Sequence, residues 1–101
     1  MDLKSYQRKY LRSLAHHIKP IAQVGRDGIT DGLLALIDQN LKKNELAKIK
    51  FLHYKDKKKE YSIQISIKTK SSIVGFIGNI VILYRMCDIP TNRRINLPLK
   101  T

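Results

Sequence analysis

Ile21 to Val24 is a short apolar run that halts at Gly25-Arg26-Asp27-Gly28, and Thr30 then opens a stretch with apolar residues at helical spacing. The chain must therefore turn from an extended segment into a helix within a few residues. Two glycines three apart permit that turn, and without Cβ atoms they let another backbone approach closely. A helix starting just beyond such a loop presents unpaired N–H groups and a positive dipole end, which suits a phosphate. Arg26 would stand at the loop tip. Gly25, Arg26, Asp27, Gly28 and the helix-capping Thr30 are thus the first candidates for a binding site.

Charge points to the same ligand. The 101 residues include 20 Lys and Arg against 8 Asp and Glu, a formal net charge of +12. Such an excess favours a polyanion through counterion release and steering, and nucleic acid is the first polyanion to consider. A membrane surface fits less well, because no segment is both strongly amphipathic and rich in exposed large apolar residues. The length allows one domain with one modest core, so a single domain over residues 1–101 is expected, with its core at about 3–98. Cys87 is the only cysteine, which excludes an intrachain disulfide and suggests a reducing compartment. The N-terminal residues lack the apolar core of a secretory signal. The longest apolar-rich run, Ile73 to Tyr84, is interrupted by Gly75, Gly78 and Asn79 and is too short to span a bilayer. A soluble cytoplasmic protein is the expectation. His16, His17 and His53 have no acidic partner at ligand spacing, so neither metal nor cofactor is expected.

Taken in order, the chain alternates helical and extended signals. Ser5 can cap a first helix reaching about Ile18, with Leu11, Leu14, Ala15 and Ile18 on one stripe and Arg8, Lys9 and Arg12 on another side. That basic face can contact RNA or simply be solvated. Pro20 ends the helix, and Ile21 to Val24 reads as a short strand. The second helix runs from Thr30 to about Lys43, where Leu33, Ile37 and Leu41 recur at i+4 and Asn44 can take the left-handed conformation that ends it. From Glu45 the period changes to two. Ala47, Ile49 and Phe51 point one way and Lys48 and Lys50 the other, as in a half-covered strand. Lys55, Lys57, Lys58 and Lys59 form a solvated loop or a helix start. In the next segment, Tyr61, Ile63, Ile65 and Ile67 alternate with polar residues, which favours a strand. Ile73 to Ile77 and Ile80 to Arg85 flank Gly78-Asn79 and read as a buried hairpin. Gly75-Phe76-Ile77-Gly78 repeats the glycine spacing but holds no basic residue, and is read as structural. Arg94 to Leu97 could add a short edge strand between its flanking prolines.

Ala15-His16-His17-Ile18-Lys19-Pro20, Val24-Gly25-Arg26-Asp27-Gly28-Ile29-Thr30-Asp31-Gly32, Ile82-Leu83-Tyr84-Arg85 and the closing Arg94-Ile95-Asn96-Leu97-Pro98 together resemble the CRM domain, in its stand-alone bacterial YhbY-type form. The resemblance covers nearly the whole chain. It implies an α/β (α+β sandwich) domain of order α-β-α-β-α-β-β, with helices packed on a mixed sheet of about four strands, similar to the C-terminal domain of translation initiation factor three. It implies a helix over Tyr61 to Ser72, against the local alternation, and we follow the family there, since tertiary context overrides propensity. A central helix packed on two sides would accommodate that apolar pattern. The resemblance also likens the glycine loop to the G-x-x-G of KH domains, which clamps a nucleic-acid backbone, and matches Lys19 and Arg85 to basic family positions. For Arg85 a structural role at the strand end is the competing reading. The sequence departs from the pattern at Asp27, which brings negative charge into the loop, and at Met86 to Arg93, a longer connection.

The expected function is therefore non-catalytic RNA binding. The RNA would be ribosomal RNA in a pre-ribosomal particle of the large subunit, bound by a monomer through the glycine loop, Arg8, Lys9, Arg12, Lys19 and Arg85. A general structured-RNA binder and a module docking on ribosomal protein are the alternatives. Neither a small-molecule substrate nor a catalytic residue is expected. The acidic residues form no metal-binding cluster, and Gly25 to Gly32 fits neither the Walker loop nor the dinucleotide fingerprint.

Overall fold

The computed structural model describes residues 2–99. Its elements are α1 (Ser5–Ala15), β1 (Ala22–Val24), α2 (Asp31–Asn44), β2 (Leu46–Phe51), α3 (Lys58–Thr69), β3 (Ser72–Ile77) and β4 (Ile80–Tyr84), with single 3₁₀ turns at Lys55–Lys57 and Pro90–Asn92. The order is the expected α-β-α-β-α-β-β. One four-stranded mixed sheet is ordered β1-β2-β4-β3. β1 and β2 are parallel, and β4 is antiparallel to both β2 and β3. β1, β2 and β3 therefore run the same way, and the ends at which they finish gather along one edge of the molecule.

That direction explains α3. Strands that run parallel must be joined by a crossover, and right-handed crossovers that step the same way along a sheet put their helices on the same face. The segment between β2 and β3 is such a crossover and forms a helix, although Ile63, Ile65 and Ile67 alternate like a strand. Each Ile lowers helix stability by only about 0.5 kcal/mol relative to Ala, less than the sheet would lose without its edge strand. The helix buries Ser62, Ile65 and Thr69. It is not packed on two sides as the sequence suggested, for Ile63 is 52% and Ile67 70% exposed.

The sheet is covered on both faces. α2 and α3 close one face, where Ile37, Leu41 and Ile65 pack with Val24, Ala47, Ile49, Phe51, Val81 and Leu83. α1 closes the other, placing Leu11 and Ala15 against Leu46, Val74, Ile82 and Tyr84. β2 is thus covered twice rather than half-covered. Ala47, Ile49 and Phe51 share a face as expected, but Lys48 is buried and its ammonium donates to the Ile18 carbonyl at 2.9 Å. An aliphatic stem under α1 with its charged tip on a carbonyl is how a lysine can enter such a layer. β4 is buried as expected, whereas β3 is a half-exposed edge strand with a bulge between Ile73 and Gly75. Gly78, at φ +58, makes the hairpin turn, and the Gly75 position faces Arg12, so the second glycine pair is structural.

Several boundaries differ from expectation: Lys4 rather than Ser5 is the N-cap of α1, and α3 spans Lys58–Thr69 rather than Tyr61 to Ser72. α1 ends at Ala15, and His17 and Ile18 continue it only as N–H donors to Leu14 and Ala15. α2 is stopped by Glu45, not Asn44, in the left-handed conformation (φ 67). The carboxylate explains why a non-glycine residue is held there. Glu45 is fully buried and accepts from the Cys87 N–H at 2.6 Å, the Arg94 N–H at 2.6 Å and the Ile95 N–H at 3.0 Å. Charge-assisted bonds of this kind outweigh the roughly 1–2 kcal/mol cost of the left-handed backbone. They fold the segment after β4 back across the sheet end, with Pro98 and Leu99 carbonyls accepting from Gln7 and Tyr6 of α1. Residues 94–97 form no strand; the Glu45 carboxylate takes the Arg94 and Ile95 amides that a strand partner could have taken. Tyr84 lies beside this anchor with its buried hydroxyl unpaired among the described residues, and burial, then the Glu45 charge, pushes its pKa up to about 12.

Replacing Glu45 by Ala should cost about 2–4 kcal/mol in urea unfolding, since three amides lose a buried acceptor. Amide exchange at Cys87, Arg94 and Ile95 should accelerate with it. A loss below about 0.5 kcal/mol with those amides still protected would contradict the anchor.

Candidate nucleic-acid interface

At the edge where β1, β2 and β3 end, three connections meet. The Gly25–Gly28 loop follows β1, residues 52–57 follow β2, and Gly78-Asn79 joins β3 to β4. The Val24 carbonyl accepts from both Leu52 and His53, and Asn79 accepts from Phe51 at 2.8 Å. The loop itself closes as a four-residue turn through Gly28 N–H to the Gly25 carbonyl at 3.1 Å. Gly28 takes φ +70, which explains its identity, since a side chain there would strain the backbone. Gly25 is not at positive φ and a Cβ on it would meet no atom within 4 Å. Thr30 caps α2 as expected, its hydroxyl accepting from Leu33 N–H at 3.1 Å, and Asp31 occupies the first turn. Arg26, Asp27 and Thr30 are all exposed.

A residue absent from the sequence-based candidates holds this loop. The Tyr54 hydroxyl donates to the Arg26 carbonyl at 2.6 Å, and its ring packs against Tyr61 of α3 at a centroid distance of 5.1 Å. Both rings lie under Gly28, 3.7 and 3.8 Å from where its Cβ would be. Tyr54 is left-handed (φ 57), a cost of order 1 kcal/mol that the tyrosine pair, worth about 0.5–1.5 kcal/mol, can offset. Holding Tyr54 in place also brings the lysine-rich corner to the loop. Exposed Lys55 and Lys57 lie in the turn after Tyr54, and exposed Lys59 opens α3. Lys58 is tied inward to the Gly78 carbonyl at 2.7 Å. Exposed Lys50 pairs in register with Gln23 beside the loop. The acidic Asp27, Asp31, Asp56 and Glu60 share this end, so its positive excess is smaller than the lysines alone would give. In the sequence these lysines read as a solvated loop or a helix start, and the structure has a turn at Lys55–Lys57 followed by α3; the i, i+7 spacing of Tyr54 and Tyr61 is the one local hint of their fixed position.

The other candidates are spread apart. Arg8, Lys9 and Arg12 are on α1, which lies across the opposite sheet face from α2 and α3. Arg8 is half-buried near Ser71 and Ser72 at the start of β3, and Arg12 lies over Gly75. Lys19 is exposed in the link before β1. Arg85 follows Tyr84, which is registered with Leu46 and Ser72 at the starts of β2 and β3, the end away from the loop. Its guanidinium is spent on protein: Nη1 bonds Asp38 Oδ1 at 2.6 Å and the Thr69 carbonyl at 2.8 Å, and Nη2 bonds the Asp38 carbonyl at 3.0 Å. It thereby joins β4 to α2 and to the carbonyl end of α3, where a cation suits the dipole. The structural reading of Arg85 is the one its geometry matches.

A two-faced sheet whose parallel strands finish in a glycine turn and a basic corner is a small α/β module built around one rim. The model of the CRS1 / YhbY (CRM) domain matches residues 3–85, and the chain belongs to that family. An RNA-binding protein of Haemophilus influenzae is 35% identical over 99 residues, covering 97% of each chain. YqeI of Bacillus subtilis, named as a probable RNA-binding protein, is 35% identical over 97 residues, covering 95% of this chain and 99% of its own. The solution structure of SAV1595 from Staphylococcus aureus, a hypothetical protein described as a candidate RNA binder, superposes with a TM-score of 0.81 at 40% identity, covering 96% of this chain and all of that one.

The Arg85–Asp38 contact has a pH signature. The hydrogen bond from Arg85, with its charge, holds the Asp38 carboxyl below its ordinary 3.8 against a smaller opposing effect of burial. A lowered folded-state pKa gives stability that is present above the unfolded value and disappears as pH falls through the folded one. Asp38 is about half exposed, so solvent screening keeps the pair below about 1 kcal/mol. Asp38→Asn should therefore be slightly less stable than the unmodified chain at pH 7, and in urea titrations the difference should vanish as pH falls through the lowered Asp38 pKa. A gap that persists or widens in acid would contradict this.

Proposed function

We propose that the chain is a non-catalytic RNA-binding protein that grips backbone phosphates at the Gly25–Gly28 rim, acting on ribosomal RNA in pre-ribosomal particles of the large subunit. The observation that carries the phosphate site is Gly25. Its backbone conformation does not require glycine and no protein atom lies where its side chain would be, so the space above it is free for a nucleic-acid backbone. Exposed Arg26 at the tip, the α2 N-terminus behind it and the lysine-rich corner beside it supply the charge. Relatives named as RNA-binding across almost their whole length support the ligand class. Phosphate contacts position rather than specify, so discrimination among RNAs would come from RNA shape and from neighbouring proteins in the particle. The exposed Ile63 and Ile67 on α3 favour a second contact, with a protein of that particle; binding through it would resist salt, whereas phosphate binding weakens steeply.

Fluorescence titration with a labelled hairpin RNA tests the loop. Arg26→Glu should lower affinity by about tenfold or more and reduce the salt slope by about one to two phosphates. Gly25→Ala should lower affinity several-fold with an unchanged melting temperature. Unchanged affinity in both variants would remove the loop from the site.

A further inference from the structure

The Tyr54 hydroxyl does more than brace the loop; the geometry points to Tyr54 as the positioning residue that turns a backbone N–H of the glycine loop outward, toward a phosphate oxygen. The inference rests on the loop being the phosphate site. Gly25 to Gly28 is a hydrogen-bonded turn closed by Gly28 N–H to the Gly25 carbonyl, so the peptide joining Arg26 to Asp27 is its central one. Turns of this kind occur in two forms that differ by a flip of that central peptide. The type II form needs positive φ at the third residue, here Asp27, which is not among the positive-φ residues. The loop is therefore in the type I form.

In a planar trans peptide the carbonyl and the N–H point to opposite sides. Here the Arg26 carbonyl points inward and accepts from the Tyr54 hydroxyl at 2.6 Å. The Asp27 N–H consequently points away from Tyr54, and Asp27 is exposed. A flipped peptide would present the Arg26 carbonyl instead, an acceptor facing an acceptor. Sequence alone would permit partial flipping, because Asp is among the residues that tolerate positive φ. The hydroxyl opposes this, and the Tyr61 ring and the backbone bonds from Leu52 and His53 to Val24 hold the phenol under the loop. This also gives a use for Asp27 in a phosphate site: its amide donates while its carboxylate stays in solvent.

Tyr54→Phe removes the hydroxyl and keeps the ring on Tyr61 and Gly28. Hairpin-RNA affinity should fall about three- to tenfold, the scale of one hydrogen bond. In the free variant, the close amide–amide NMR contact between residues 26 and 27 should partly give way to the contact between the Arg26 Hα and the Asp27 amide that marks the flipped turn. A merely structural residue would not change that ratio. Unchanged affinity in Tyr54→Phe, with Arg26→Glu still impaired, would overturn the inference and leave the loop site standing. Arg26→Glu without effect would remove the site itself, and the inference with it. Reduced affinity with an unaltered turn would also overturn it, because Tyr54 would then be touching RNA directly. Should the variant fail to fold, the unmodified protein decides: the Asp27 amide proton should move downfield on RNA addition, and an Asp27 amide that does not respond would overturn the proposal.

Discussion

β1, β2 and β3 must run in one direction, because each is joined to the next through a helix, and most of the molecule follows from that constraint. It sets α2 and α3 on one face and leaves the other to α1. It also brings the glycine loop, the Tyr54 corner and the Gly78 hairpin to one edge, although they are far apart in sequence. The tie between them is short-range and specific: Tyr54 to the Arg26 carbonyl, Phe51 to the Asn79 carbonyl, and Lys58 to the Gly78 carbonyl. The rim is thus a set of loops braced by one another on the sheet, which suits a site that must hold its donors in place before the ligand arrives.

The opposite edge does different work. Glu45 gathers three amides of the C-terminal segment, and Arg85 joins the end of β4 to α2 and α3. Both are charged residues whose polar atoms are engaged by the protein, and both lie within the residues that match the family, Arg85 at their end. A basic residue in a strongly basic chain is therefore not by itself a nucleic-acid contact. Arg85 and the buried Lys48 contribute to the net charge while their polar tips serve carbonyls of the protein.

Features with a local signal were legible in the sequence. The turn at Gly28, the Thr30 cap and the Gly78-Asn79 hairpin each depend on a few neighbouring residues, and each was read correctly. So was the burial of Ile37 and Leu41 in α2, whose buried face is narrower than its leucines suggested because Leu36 is exposed. Features decided by distant partners were not. Ile63, Ile65 and Ile67 alternate like a strand, and only the need for a crossover makes them helical. Lys48 looked solvent-facing because nothing in its neighbourhood reveals that α1 covers it. Glu45 stops α2 in place of Asn44 because its carboxylate finds amides some 40 to 50 residues later in the chain. In the candidate site, the glycine loop was legible and its brace was not: Tyr54 and the lysines after it read as a solvated loop or a helix start, and nothing local tied them to the glycine loop. Arg8, Lys9 and Arg12 shared a charge sign with the loop but not its edge.

The most direct test of the account is photocrosslinking of the unmodified protein to RNA, with the crosslinked peptides identified by mass spectrometry. Crosslinks concentrated at residues 25–28 and 53–59 are the predicted result, because these segments form the rim that three parallel strands bring together. Crosslinks confined to the outer face of α1, or to the Arg85 end of the sheet, would contradict it and would place the RNA on a surface this fold separates from the glycine loop.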